Sequence, residues 1–442
     1  MMSRTTMPEP RGAASSTSRL FAMAVLLCLA CAGCGESPAV MVKVPGGGEV
    51  DTADWPCWRG TLRDGKSHSE TAPTKWSENE NVIWKQELKG RGYSSPTVCG
   101  ERIFLTTSDP DAQTQTALCL DRDTGKPLWS LDIHQGGFVD KMHVDCSYAN
   151  STPACDGKQV YFTFLNGGAV WLTATDLEGE RVWQRRVGAY KSEDGFAASP
   201  QLYGNTVIVG GDNPGPDSFL AAVDRESGRI VWKVVRPAFN NVAAPIVAHV
   251  AGRDQILLCG CGGVAGYEAD SGKLLWVCTG FARESASTMT YDETFVYASG
   301  GFPYQGDLCV RADGSGDVTK SHLVWRENHG PSYASSLLVH EGIGYSITDK
   351  GILTCFDAKT GKRKWRARLN GGFYSSPILA GENIYLQSKS GSTYVFAHSP
   401  ESYNLIAENK LAEGGYASAV ICDNKIYLRT DQHLYCIGTG DE

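Results

Sequence analysis

Beyond one run near the N-terminus, no stretch of this chain is apolar for long enough to span a bilayer as a helix. Charge is sparse as well: charged residues make up 20% of the sequence and the formal net charge is −8, which argues against a nucleic-acid partner. Familiar catalytic signatures are missing. The chain has no Cys-Cys dipeptide, no C-x-x-C-H haem attachment, no G-x-S-x-G elbow and no glycine-rich phosphate loop set between a strand and a helix. Helix signals are almost absent, so the 442 residues, 42% of them hydrophobic, must build their core from strands.

What is present is a repeat. CLDRDTGKPLW runs from Cys119 to Trp129 with a small first residue, Gly seventh and Trp eleventh, and the spacing recurs without a gap ending at Trp232, Trp276 and Trp365. Copies with altered turns end at Trp183 and Trp325. With Trp84 included, the Trp positions step by 45, 54, 49, 44, 49 and 40 residues. A period of that length, built from short strands, predicts an all-β propeller. Each repeat opens on a small-residue motif such as Ser94-Ser95-Pro96 or Ala198-Ser199-Pro200, suited to strands crowding an axis, and eight such motifs predict eight blades. The eighth repeat stops after three strands at Gly438. NVIWKQEL, residues 81–88, carries the missing Trp and is expected to close the ring as the last blade's outer strand.

The N-terminus reads as an address. Arg4, Arg11 and Arg19 precede LFAMAVLLCLA, and Ala32-Gly33-Cys34 has the form of a lipoprotein cleavage site. Residues 1–33 are therefore expected to be a signal peptide, 34–53 a lipidated Cys34 with a flexible tether, 54–438 the propeller and 439–442 a tail. Losing residues 1–33 removes three Arg and one Glu and moves the net charge from −8 to −10.

Fifteen cysteines in an exported chain suggest disulfides, but their placement suggests core packing. Cys119, Cys309, Cys355 and Cys436 share one third-strand position, and Cys99, Cys155 and Cys422 end first strands; these seven are expected to be free thiols too far apart to pair. Cys57, Cys146, Cys259, Cys261 and Cys278 fit no repeat position and leave a disulfide open.

The A-x-D-x-x-T-G-x-x-x-W spacing resembles the tryptophan-docking repeat of quinoprotein alcohol dehydrogenases and of the PQQ-like propeller lipoproteins that include the BamB outer-membrane assembly factor. DWPCWRG and GGFPYQGDLCVRADGSGDV are similar to PQQ-binding-like bacterial propellers. The resemblance covers about residues 54–438 and implies that Trp84, Trp129, Trp183, Trp232, Trp276, Trp325 and Trp365 dock neighbouring blades beside the Gly turns. It also implies an envelope location, with partners among envelope proteins. In the family's enzymes PQQ lies on the axis between a Trp and a vicinal disulfide, beside a calcium held by Glu, Asn and Asp. This chain lacks the vicinal pair, and of its Trp residues only Trp55, Trp58, Trp76 and Trp171 fall outside the repeat positions.

Loops entering the innermost strands present ligand groups at a propeller's mouth. They offer Arg91 and Tyr93 in the first; His134, His143, Asp145 and Tyr148 in the second; then Lys191, Asn241 and Arg283; and finally His329, Tyr333, Tyr374 and Tyr416. The loop from His134 to Tyr148 is longer than its equivalents and is expected to overhang the mouth. His143, Asp145 and Cys146 suggest a metal site or an acid/base pair, and Asp212, Asn213 and Asp217 offer oxygens to calcium, though strand capping and turn chemistry explain both. The expected function is that of a monomeric, lipid-anchored binding or scaffold module of the outer membrane, with no resident cofactor or metal. The alternatives are a PQQ-dependent dehydrogenase with calcium and a polysaccharide-directed binding protein or enzyme.

Overall fold

A computed structural model of the chain describes residues 39–439, apart from 140–141, 193–194, 302–305, 329 and 331. The lipidation residue Cys34, the signal peptide and the candidate His329 lie outside the described residues. All described secondary structure is strand and turn. Eight antiparallel sheets follow one another along the chain, each running from an innermost to an outermost strand. In blade 1 these strands are Thr97–Cys99, Arg102–Asp109, Thr114–Asp121 and Pro127–Gln135.

Blade 8 is made from both ends of the described chain. Val420–Cys422, Lys425–Arg429 and His433–Ile437 supply three strands, and Val82–Glu87 supplies the fourth, with Trp84 opposite Cys436. The expected ring closure is the observed one. Blade 4 alone gains a fifth strand: Gly316–Asp317, from the long turn of blade 5, pairs in parallel with Trp276 and Val277.

The repeated Gly and Trp meet between blades. A Cβ built on Gly125 would lie 2.4 Å from the Trp84 ring, on Gly179 2.7 Å from Trp129, on Gly228 2.6 Å from Trp183 and on Gly272 2.5 Å from Trp232. Each of these glycines also has positive φ, so the turn and the indole both exclude a side chain. Most of the indoles then donate to a carbonyl of the next blade: Trp84 to Arg122, Trp129 to Leu177, Trp183 to Arg225, Trp325 to Ala358 and Trp365 to Ser399. Trp276 departs from the expected docking. Its indole is fully buried and donates to Gln255 Oε1 of its own blade at 2.7 Å, because blade 5 replaces the tight Gly turn with the long insertion.

The small residues of the innermost strands do more than save space. Backbone N–H groups of Ser95, Thr152, Thr288, Ser336 and Ser376 donate at 2.8–3.0 Å to the hydroxyls of Thr152, Ser199, Ser336, Ser376 and Ser418 respectively, each on the following blade. A hydroxyl belt thus circles the axis, interrupted at Ala244 in blade 4.

Two sequence expectations need correction. Within residues 34–53, read as a flexible tether, Met41–Lys43 and Glu49–Asp51 form a hairpin, and Gly46 N–H at its tip donates to Asp254 Oδ2 at 3.0 Å. Cys99 and Cys155 are not far apart: innermost strands converge at the axis, and the two thiols face each other between blades 1 and 2, which with burial raises the Cys155 pKa well above its usual value. All twelve described cysteines are free, including Cys57, Cys146, Cys259, Cys261 and Cys278. Cys119, Cys309, Cys355 and Cys436 are buried, as the repeat alignment requires.

Candidate functional site

A cavity of about 600 Å³ opens on the propeller axis. Its walls are the starts of the innermost strands, with the small side chains Ala197, Ala244, Ala286 and Ala417 facing inward. Its inner end is closed by a non-repeating segment, residues 54–72, that crosses beneath the blades. Trp55 pairs with Val98 of blade 1, Pro56 O accepts from Cys155 N–H of blade 2, and Arg63 donates to Leu202 O of blade 3. Buried Arg59 donates to Leu337 O of blade 6 at 2.8 Å, and Ser67 to Ile421 O of blade 8 at 2.6 Å. From this plug Trp58 lines the cavity, and its indole donates to Thr288 Oγ1 at 2.9 Å. Gly60–Ser67, GTLRDGKS, has the residue spacing of a phosphate loop, yet no helix follows it and Lys66 pairs with Asp64 at 2.9 Å.

Aromatic residues ring the opening. Tyr93 stacks on Tyr416 with centroids 4.2 Å apart, Tyr374 meets Tyr416 edge-on at 5.7 Å, and Tyr333 lines the wall beside them. The loop between blades 1 and 2 reaches across this ring to blades 7 and 8. Asp145 accepts from Tyr416 OH at 2.8 Å, from Tyr374 OH at 3.2 Å and from Lys389 Nζ at 3.2 Å. Burial acts to raise the Asp145 pKa, but these donors outweigh it and hold the carboxyl below its usual range. Burial raises both tyrosine hydroxyls, and the carboxylate adds to it. Arg91, itself exposed, donates to Tyr93 OH and to Val144 O, which fastens the near side of the loop. His143, Asp145 and Cys146 all line the cavity, as do Glu284 and Asp349. Asp349 accepts from Tyr333 N–H, yet burial raises its pKa.

Five sequence candidates are placed elsewhere. His134 lies near the end of the outer strand of blade 1, packs on Phe164 and Trp171, and is lowered to a pKa of about 4 by burial and by Arg181. Tyr148 stacks on Phe138 and donates to Val139 O, so it shapes the loop from behind. Asn241 is buried; it donates to Asp212 Oδ2 and Cys259 O and accepts from Ser285 N–H, all at 3.0 Å. Arg283 lies over Phe239, and Lys191 is exposed outside the cavity lining. The calcium reading of Asp212, Asn213 and Asp217 fails as well, because Arg236 takes both Asp212 oxygens, at 2.7 and 2.8 Å, and Asn213 Oδ1 accepts from Gly215 N–H. Trp58 is the lining residue that periodicity missed. Its signal was negative, a Trp with no place in the repeat.

Between blades 5 and 6 the fold buries Asp307 completely, and neither carboxylate oxygen has a hydrogen bond. Burial raises its pKa to about 7, tempered by the nearby Ser299 and Ser346. The folded state therefore holds this proton over a range where the unfolded chain releases it. Relative to Asp307→Asn, stability should fall as pH rises from about 4 to about 7 and stay level above, by up to roughly 4 kcal/mol. Urea melts of both proteins at pH 4, 6 and 8 check this, and parallel curves would refute it.

The chain is 26% identical over 338 residues to the dehydrogenase subunit of the quinone alcohol dehydrogenase of Gluconacetobacter polyoxogenes, covering 72% of this chain and 42% of that one. It is 23% identical over 381 residues to the outer membrane protein assembly factor BamB of Burkholderia pseudomallei, covering 81% and 89%. The chain thus spans about two fifths of the dehydrogenase's length. Among solved structures, a europium-containing methanol dehydrogenase superposes with a TM-score of 0.67 at 11% identity, covering 88% of this chain and 98% of that one. BamB from Moraxella catarrhalis gives 0.57 at 14% identity, covering 82% and 98%. A family model described as outer membrane protein assembly factor BamB matches residues 74–211, 119–312 and 315–399. The chain is an eight-bladed PQQ-like propeller, and it belongs to this BamB family.

Proposed function

We propose that this protein is a binding module of the cell envelope, anchored by lipid at Cys34 on the periplasmic side of the outer membrane, that takes a ligand or a segment of a partner protein at the axial cavity. The observation that carries the reading is the cavity itself, lined by Trp58, ringed by Tyr93, Tyr333, Tyr374 and Tyr416, and spanned by the Asp145 strap. Stacked, preordered aromatics offer large contact area at little entropic cost.

The dehydrogenase relatives favour a second reading, and Trp58 supplies a flat surface that a quinone ring could lie on. The charge of the lining does not fit. PQQ is a tricarboxylate, whereas the lining offers Asp145, Glu284 and Asp349 and no Lys or Arg among the described residues. The two cations beside the strap are already engaged: Lys389 by Asp145, packing over Tyr374 at 4.3 Å, and Arg91 by Tyr93 OH and Val144 O.

Cross-linking and affinity capture from solubilised envelope, with wild type beside a His143→Ala/Tyr333→Ala double variant, tests the binding reading. Both proteins should melt alike, and recovery of the wild-type partner should fall at least about tenfold in the variant, a loss of roughly 1.4 kcal/mol. Equal recovery would move the binding surface away from the cavity. Saturable PQQ binding with dye reduction in the presence of calcium would replace the scaffold reading by the enzymatic one.

A further inference from the structure

The face opposite the cavity mouth carries a cluster that neither the repeat nor the proposed function uses. His340 ends the innermost strand of blade 6, Leu338–His340, and Glu341 follows it in the turn. His398 follows the third strand of blade 7, Ser392–Ala397. The chain brings these residues together across the blade interface: one ligand atom from each of His340, Glu341 and His398 lies within 4.8 Å of the others, and the two imidazole centroids are 5.0 Å apart.

Both positions vary from blade to blade, and the interface between blades 6 and 7 is where both carry histidine. The corresponding position in the innermost strand is Cys99 in blade 1, Cys155 in blade 2 and Cys422 in blade 8, while the residue after the third strand is Arg122 in blade 1 and Arg225 in blade 3. Where blade 8 meets blade 1, for example, the Arg122 guanidinium reaches the Cys422 thiol at 3.9 Å. Two imidazoles replace that arrangement between blades 6 and 7.

The surroundings orient and charge the cluster as a cation site needs. Tyr345 OH lies 3.1 Å from His398 Nδ1 and accepts from Ser399 N–H at 3.0 Å, while the backbone N–H of His398 donates to Glu382 O at 2.7 Å. The Tyr345 hydroxyl occupies Nδ1 and leaves Nε2 as the ring nitrogen open to a ligand, the usual pattern in which an outer hydrogen bond fixes a metal-binding imidazole. Glu341, Glu382 and Asp64 act on the cluster from the negative side, and Lys66 from the positive side, itself neutralised by Asp64 at 2.9 Å.

We propose that His340, His398 and Glu341 bind one divalent transition-metal ion of the zinc or copper class. Two imidazoles with one carboxylate are borderline donors that suit these ions better than calcium or magnesium, and three protein ligands leave a position for water. Metal–nitrogen bonds of about 2.0 Å place tetrahedral ligands about 3.3 Å apart, a contraction that needs the exposed Glu341 side chain to turn in and the two imidazoles to approach from within 4.8 Å.

The test uses the full mature chain with zinc or copper(II) alone. Calorimetry should show one high-affinity equivalent, and copper(II) paramagnetic resonance should show coupling to two imidazole nitrogens. His398→Ala should weaken binding about 100-fold and remove one nitrogen coupling, and Tyr345→Phe, through the orienting bond, about tenfold. Metal-free wild type and His398→Ala should melt at the same temperature, and added zinc should raise the melting point of wild type only. Unchanged affinity and spectra in His340→Ala/His398→Ala would assign the metal to other histidines and overturn the proposal, as would the absence of binding tighter than about 100 µM, near 5.5 kcal/mol.

Discussion

A chain shortened to begin at Lys89 should lose cooperative unfolding and aggregate, whereas one beginning at Lys75 should stay monomeric and melt in a single transition. The shorter deletion removes the axial plug and leaves Val82–Glu87 in place. The longer one strips the fourth strand from blade 8, exposing the backbone edge of His433–Ile437, and removes Trp84 from its seat on Gly125 and Arg122 O. An exposed flat edge recruits other chains, and loss of a buried Trp alone costs about 3–5 kcal/mol. Light scattering and thermal melts of the two shortened chains separate the contributions of plug and strand. If both behave alike, the Velcro-like seam is not what holds the ring shut.

Asp212→Ala should be the most damaging single substitution. Arg236 and Asp212 are 2% and 4% exposed and joined by two charge-assisted hydrogen bonds, and the same guanidinium donates to Tyr267 OH at 2.6 Å. Removing the carboxylate leaves a guanidinium in the protein interior with no counter-charge, which costs about 3–5 kcal/mol. Replacing both partners, Arg236→Met with Asp212→Leu, should recover most of that loss, because the charge to be solvated goes with its partner. Denaturant melts of the single and double variants provide the comparison. A loss under about 1 kcal/mol in the single variant would show that the arginine finds water instead.

The features legible in the sequence are those in which one residue type meets the same contact in blade after blade. Gly125, Gly179 and Gly228 recur because each turn needs positive φ and lies under an indole, so the spacing exposes both strand order and blade docking. Blade closure was legible for the same reason, since Trp84 had the signature of a strand whose repeat lacked one. The hydroxyl belt was hidden because Ser, Thr and Ala all satisfy the crowding at the axis, and only geometry shows that five of the hydroxyls accept from the backbone of the preceding blade. The plug was hidden because it occurs once. Trp58, Arg59 and the GTLRDGKS run have no periodic partner to align with, although they close the cavity. The Asp145 loop was legible as an overhang from its length. Its attachment to Tyr374 and Tyr416, more than 200 residues away, was not.

The closing strand also sets an order of events. Val82–Glu87 pairs with His433–Ile437, so the first blade-forming strand to leave the ribosome waits for nearly the last. At about 5–20 residues per second, that strand spends on the order of half a minute without its partner. Blades 1 to 7 contain all four of their strands as soon as each repeat is made, but the circle stays an open arc until the final residues arrive. A nascent chain arrested anywhere short of residue 437 is therefore a stack of sheets with two bare ends. Whatever holds it in that interval must shield the face of blade 1 that blade 8 will cover as well as the growing end.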